Sequence, residues 1–104
     1  MKAAILWSDR ARLDLLEIGD FIARDKPQAA ERWVAKILNA IERTAAFPAS
    51  GRIVPEIDRS EIREVILENY RIVYQLGETS ITILTVFESH RSLDGTLTYP
   101  TGSP

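Results

Sequence analysis

The repeat of apolar residues changes once along this chain, and that change restricts the fold more than any other feature. Before Phe47 and Pro48, apolar residues recur every three or four positions, which is the period of an amphipathic helix. After Gly51 they alternate with polar residues, which is the period of a half-buried strand. Helices followed by a run of strands predict an α+β domain, with the helices packed on one face of a sheet.

The first helix is predicted to follow a short strand at residues 3–7. Ser8 is the expected N-cap, because its hydroxyl can accept a hydrogen bond from a free backbone N–H group. The helix is expected to end near Arg24. Its apolar stripe consists of Ala11, Leu15, Ile18 and Ile22. At 100° per residue, Leu13 falls opposite this stripe, which predicts an exposed leucine.

The second helix is predicted to start almost immediately. Asp25 is the expected cap, Pro27 suits a first helical turn, and Gln28 lies three residues after the cap, where a capping box places Glu or Gln. Its apolar stripe consists of Ala30, Val34, Ile37, Ile41 and Ala45. Pro48 ends the helix, because a proline pushes the preceding residue out of the α region. The short connection predicts an antiparallel helical hairpin.

The remaining pattern predicts three strands. Residues 52–61 are irregular and charged and are interpreted as a loop with at most a short extended piece. Residues 62–67 and 70–76 predict a β-hairpin around a turn at Glu68 and Asn69, and residues 81–87, apolar on both faces, predict a central strand. The predicted order is β-α-α-β-β-β, with an antiparallel sheet of three to four strands. Residues 1–93 are interpreted as one domain and residues 94–104 as a flexible tail.

Composition excludes several kinds of site. The chain has 104 residues, no cysteine and one histidine, which excludes disulfides and thiolate zinc sites and argues against any other metal site. We expect no cofactor. The apolar run at residues 3–7 is too short for a signal peptide or a membrane span, which favours a cytoplasmic protein. The net charge of −2 favours a protein partner over a nucleic acid.

Two arginines of the predicted hairpin are the main candidates for a site. The alternation along the two strands predicts Arg63 and Arg71 on the same exposed sheet face. Ordinary ion pairs with nearby glutamates explain them equally well. From the residues alone, Glu56 is interpreted as a solvated loop residue and His90 as a structural or exposed histidine. Exposed Leu13, with Leu16 nearby, offers an apolar contact for a partner.

Several short motifs resemble the RelE/ParE toxin superfamily. The first helix region carries Leu-Trp-Ser at residues 6–8 and Asp-Leu at 14–15, and Phe-Pro and Gly-Arg follow at 47–48 and 51–52. The strands carry Ile-Arg-Glu at 62–64, Asn-Tyr-Arg-Ile-Val-Tyr at 69–74, Ile-Leu-Thr-Val at 83–86 and His-Arg at 90–91. The resemblance covers residues 6–91, and the motifs occur in the order of the family.

The resemblance implies a bacterial toxin that is neutralised by a cognate antitoxin, and it leaves two mechanisms open. Members similar to ParE poison DNA gyrase and are not enzymes, whereas members similar to RelE cleave messenger RNA on the ribosome. Two long helices, the Pro-Gln-Ala-Ala opening at residues 27–30 and the charge balance favour the ParE-like branch. Partner contacts are then expected at Leu13, Leu16, Arg63, Arg71 and Arg91.

The RelE-like alternative assigns catalytic roles instead. Glu56 would be the base, Arg63 and Arg71 would hold the phosphate, and His90 or Tyr99 would be the acid. The loop at residues 52–61 lacks the lysines that RelE-like enzymes carry, which weighs against this reading. A third hypothesis is a degenerate member of the family that only binds a partner.

Overall fold

The computed structural model describes residues 2–89, which fold into a two-helix hairpin on one face of a five-stranded sheet. The elements are β1 (Ala4–Trp7), α1 (Asp9–Asp25), α2 (Pro27–Ala46), a 3₁₀ turn (Pro48–Ser50), β2 (Arg52–Ile53), β3 (Ile62–Leu67), β4 (Tyr70–Leu76) and β5 (Ser80–Glu88). The predicted α+β class and the helical hairpin on one face are confirmed. The predicted tail, and with it His90, Arg91 and Tyr99, lies outside the described residues.

The sheet has one more strand than the upper limit of the prediction, and it is mixed. Its strand order is β1-β5-β4-β3-β2, with β1 parallel to β5 and every other pair antiparallel. β5 is hydrogen-bonded on both sides, so the predicted central strand is confirmed. The fifth strand is β2, which consists of two residues paired with β3, within the segment interpreted as a loop.

The helix boundaries follow their capping chemistry, with one exception. The Ser8 hydroxyl accepts a hydrogen bond from the Ala11 N–H at 3.0 Å and so caps α1, as predicted. The prediction that Asp25 caps α2 is wrong, because α1 continues through Asp25 and Lys26 is the residue between the helices. Pro27 is the first residue of α2, and Phe47 is its C-cap. Within residues 2–89, neither helix is long and apolar enough to span a bilayer.

The main core lies between the helices and the sheet. Its fully buried residues include Ala11, Ile37, Ile41, Tyr74, Ile81 and Ile83. A β-bulge between β4 and β5 changes the predicted alternation of β5, because Val73 pairs with Thr85 and Tyr74 pairs with Ile83. Leu84 is the extra residue and packs on the opposite sheet face. Regular alternation would place Leu84 and Val86 on one face, but the bulge puts them on opposite faces, since Val86 belongs to the main core.

Candidate functional site

The sheet face turned away from the helices carries a second, smaller core and a charged cluster. The small core consists of Val54, Ile62, Val73 and Leu84, with Ile57 and Phe87 packed against it. Val54 and Ile57 belong to the segment between β2 and β3, which we call the β2–β3 loop (residues 54–61). The loop thus covers part of this face, and it brings Glu56 next to β4.

Arg71 is the centre of the charged cluster. Its Nε atom donates to Glu64 Oε1 at 2.6 Å, and its two Nη atoms donate to the two carboxylate oxygens of Glu56 at 2.8 Å each. Glu64 is buried and accepts a second hydrogen bond, from Arg52 Nε at 2.6 Å. We call Arg52, Glu56, Glu64 and Arg71 the Arg71 cluster. Two guanidinium groups and two carboxylates alternate in it, so its formal charges cancel.

The Arg71 guanidinium stays charged although only 6% of its side chain is exposed. Its pKa is raised above the ordinary value, mainly because Glu56 accepts hydrogen bonds from it; burial opposes this rise, and Glu64 adds to it. The guanidinium carbon also lies 5.0 Å from the centre of the Phe87 ring, which is a cation–π contact. Partners on several sides therefore hold Arg71 in one position.

The prediction that Arg63 and Arg71 project from one face is wrong. Arg63 is the Cα partner of Tyr74, whose side chain lies in the main core beneath the helices, whereas Arg71 is the partner of Ile66 on the opposite face. Residues paired across antiparallel strands share a face, and neighbours along a strand alternate. Arg63 instead donates to backbone carbonyl groups, at Ser60, Ala49 and Gly51.

Among the candidate catalytic residues, the structure brings two together. Glu56 and Arg71 are in contact, Arg63 lies on the other face of the sheet, and His90 lies outside the described residues. The ion pair with Glu64, considered from sequence as a solvated contact, does form, but it is buried. One feature of the sequence indicates that Glu64 is buried: it lies between the apolar residues Ile62 and Ile66 on the same face of an alternating strand. Arg52 belongs to the Gly-Arg motif at residues 51–52, but no role in a site was predicted for it from the sequence.

A second candidate surface is the outer side of α1. Leu13 is 43% exposed, as its position opposite the apolar stripe predicted, and Leu16 and Phe21 are exposed on the same helix. Leu38 of α2 is also exposed. Exposed apolar residues that are grouped on one element are typical of surfaces that bind a partner. Among residues 2–89, no three acidic or histidine side chains converge as metal ligands.

Comparison with known proteins identifies the family. A family model described as the ParE toxin of type II toxin–antitoxin system, parDE, matches residues 5–93. Protein Y4kP of Sinorhizobium fredii, provisionally named a toxin, is 42% identical over 89 residues, which are 84% of this chain and 88% of that protein. Toxin RelE2 of Caulobacter vibrioides is 29% identical over 86% of this chain and 98% of its own length.

Solved structures share the fold. The chromosomal ParDE toxin–antitoxin system from P. aeruginosa matches with a TM-score of 0.69 at 20% identity, covering 84% of this chain and 96% of that chain. The RelBE2 toxin–antitoxin complex from Mycobacterium tuberculosis matches with a TM-score of 0.54 at 16% identity, covering 85% and 99%. The resemblance to the RelE/ParE superfamily is confirmed, and the chain belongs to the ParE toxin family of type II toxin–antitoxin systems.

Proposed function

We propose that this toxin arrests growth by poisoning DNA gyrase through protein contacts in the cytoplasm, and that a cognate antitoxin neutralises it. The match to the ParE family over residues 5–93 supports the gyrase branch over the ribosomal one. The net charge of −2 supports it as well, because docking on ribosomal RNA favours a surplus of basic residues.

Our choice between the two mechanisms rests mainly on the contact between Glu56 and Arg71. Cleavage of RNA needs a carboxylate or other base that can take a proton and an arginine that reaches the scissile phosphate. Here both oxygens of Glu56 accept hydrogen bonds from the Nη atoms of Arg71, and the Nε atom of Arg71 donates to Glu64. Both oxygens of Glu56 are thus engaged by Arg71, and the guanidinium is directed at protein groups. The pair supports a toxin that binds its target without cleaving RNA.

The similarity to Toxin RelE2 favours the alternative, a ribosome-dependent mRNA endoribonuclease. In that mechanism the contact between Glu56 and Arg71 has to open when the RNA binds, so that the arginine can reach a phosphate. His90 would then act as the acid, and Arg63 would need a role away from Arg71, because the two arginines lie on opposite faces.

The exposed apolar residues of α1 are our candidate for the antitoxin surface. Leu13 and Leu16 lie on the solvent side of the helical hairpin, together with Phe21. Both structural neighbours named above are toxin–antitoxin assemblies, which supports an antitoxin as the partner of this chain. A partner that covers these leucines would remove their apolar surface from water.

The mechanism is tested by inducing the protein alone in growing bacteria and following DNA, RNA and protein synthesis by pulse labelling during the first minutes. Early loss of DNA synthesis is expected, together with linearised DNA when purified gyrase, plasmid and toxin are mixed. Early loss of protein synthesis, with cleavage of mRNA in a translating extract, would reverse the proposal. Normal growth after induction would indicate a member of the family that only binds a partner.

A Glu56→Gln variant separates the two mechanisms further. If Glu56 is the base of an RNA-cleaving enzyme, this variant loses most of its toxicity while it still folds. If the toxin acts on gyrase, toxicity should follow the folded fraction alone. Glu61→Gln is the matched control, because it makes the same change in the same loop, in a more exposed ion pair with Arg59.

A further inference from the structure

The outer edge of β3 is open along half of its length. β2 pairs with β3 only at Arg52 with Glu64 and Ile53 with Arg63. Beyond Glu64, at residues 65–67, no strand lies on this side of β3 within the described part of the chain. Proteins normally protect such edges with charges, prolines or a covering element, because an open edge can pair with another strand.

The backbone of Ile66 points towards this open edge. Val54 N–H donates to Ile62 C=O across the β2–β3 pair, and on the other side of the strand Leu76 N–H donates to Glu61 C=O. In an antiparallel strand the N–H and C=O groups of one residue point to the same side, and neighbouring residues alternate. The backbone groups of three residues therefore point to the outer edge of β3: Ile62, Glu64 and Ile66. Ile66 pairs with β4 on its inner side, but on the outer side it has no strand partner among residues 2–89.

An open groove lies beside this edge, between the end of α2 and β3. Its cavity volume is about 420 Å³, and Phe47, Val65 and Ile66 form its apolar lining. Phe47 is 70% exposed and Ile66 is 45% exposed, which are high values for residues of this size. Phe47 lies on the helix side of the sheet and Ile66 on the other, so alternate side chains of a bound strand could pack against each.

The charges around the groove indicate the charge of the partner that fits it. Arg43 of α2 and Arg52 of β2 line it, and Arg43 takes part in none of the ion pairs found among residues 2–89. The acidic residue of the lining is Glu64, whose carboxylate is buried and bonded to Arg52 and Arg71. The accessible charges of the groove are therefore positive, and they complement a segment that carries carboxylates.

We propose that this groove binds an extended, acidic segment of a partner protein, which adds a strand to the open edge of β3. The backbone of the segment would pair with Ile66, an apolar side chain would contact Phe47, and a carboxylate would meet Arg43. Pairing of a peptide with a sheet edge gives affinity through main-chain hydrogen bonds and specificity through its alternate side chains. The surface is separate from the α1 face, and the proposal holds for either target of the toxin.

The test measures binding of a fluorescein-labelled nine-residue peptide that alternates aspartate with valine, by fluorescence anisotropy with the full chain. The control probes are the same peptide with lysine in place of aspartate and a single-stranded oligonucleotide of equal length. Saturable binding of the acidic peptide alone is expected, with amide shifts at Ile66 and Phe47 in the NMR spectrum of the labelled protein.

Matched variants then locate the site. Arg43→Glu should weaken peptide binding about tenfold, whereas Arg24→Glu, the same change in the last turn of α1, should leave it unchanged. Phe47→Ala should weaken it by a similar factor, whereas Phe21→Ala, at an equally exposed phenylalanine of α1, should not. All four changes are at exposed positions, and thermal melting checks that each variant is folded.

Three results would overturn the proposal. One is no binding of the acidic peptide at millimolar protein concentration. Another is equal loss of binding in the α1 variants, which would place the peptide elsewhere. The third is binding of the oligonucleotide or the lysine peptide in preference, or dimerisation through Ile66 that excludes the peptide, since either would assign the groove to a different occupant.

Discussion

Glu56 accepts two hydrogen bonds of 2.8 Å from Arg71, and this contact joins the β2–β3 loop to a buried position in β4. The loop has few other anchors in the hydrophobic interior, since Val54 and Ile57 are its residues in the small core. The ion pair therefore helps to hold the β2–β3 loop on the sheet, and it also balances the charges on this sheet face. Removing either partner deletes both of these hydrogen bonds.

We expect Glu56→Gln to lower the free energy of unfolding by about 1–3 kcal/mol, because it replaces a carboxylate that is bonded twice to a guanidinium. Glu56 is 27% exposed, so water screens part of the loss. Urea denaturation measures the change. Glu61→Gln should alter stability by no more than about 0.5 kcal/mol, since its ion pair is more exposed. Equal effects of the two substitutions would show that the Arg71 cluster adds nothing to stability.

Gly51 is required because Tyr74 fills the space that a side chain would need. A Cβ atom at Gly51 would lie 2.5 Å from Tyr74 Oη and 2.8 Å from the carbonyl oxygen of Glu64. Gly51→Ala should therefore destabilise the protein by about 1–3 kcal/mol, since a backbone carbonyl cannot move away cheaply. Gly19→Ala is the control, because the nearest atom to its Cβ would be 3.9 Å away, and it should stabilise α1 by about 0.5–1 kcal/mol. If Gly51→Ala melted at the wild-type temperature, this packing argument would be wrong.

Tyr74 should make stability depend on pH in the alkaline range. Its buried hydroxyl donates to Pro48 C=O and accepts from Gly51 N–H, and burial raises its pKa above 10.0. The folded state thus holds the proton more tightly than the unfolded chain. This contribution is fully present below about pH 10 and is lost as the pH rises through the folded-state pKa. Urea denaturation from pH 8 to 11 should show a steeper decline for the wild type than for Tyr74→Phe.

The same substitution should lower stability at pH 7 by about 1–3 kcal/mol, because the N–H of Gly51 and the C=O of Pro48 lose their partner. Tyr70 has a pKa raised by burial and by Glu88 and Glu68, so it contributes to the alkaline decline as well. Tyr70→Phe measures that share. A wild-type curve that stays flat to pH 11 would contradict the proposed role of Tyr74.

The helices and the hairpin could be predicted from the sequence because local rules determine them. Ser8 caps α1, Pro27 opens α2, and the turn at Glu68 and Asn69 gives the predicted limits of β3 and β4. Glu68 has a φ of 55°, in the left-handed region that a tight hairpin turn requires. Asp25 failed as a cap because the helical conformation of α1 continues through it.

The sequence contains the information that places Arg63 on the helix side of the sheet. A two-residue turn pairs Leu67 with Tyr70, and counting outwards from that pair places Arg63 opposite Tyr74 and Arg71 opposite Ile66. By contrast, the bulge at Leu84 leaves no local sign, since the strand pattern of residues 81–87 is equally compatible with regular alternation. The contact of Glu56 with Arg71 was also hidden, because it depends on the path of an irregular loop.

The proposed antitoxin surface gives the last prediction. Leu13→Glu and Leu16→Glu should each weaken binding of the cognate antitoxin, isolated as the protein that suppresses growth arrest, by about tenfold or more, because each change places a charge in an apolar contact. Glutamate is a good helix former, so α1 should remain intact. Leu6→Glu is the control, because Leu6 of β1 is 52% exposed and Leu13 is 43% exposed, so the same change is made at comparable exposure outside both proposed surfaces. Ile66→Glu, at 45% exposure, reports on the open edge of β3. Calorimetric titration of the antitoxin into each variant measures the affinities. If Ile66→Glu weakened binding while both α1 variants did not, the antitoxin would lie on the open edge of β3 instead.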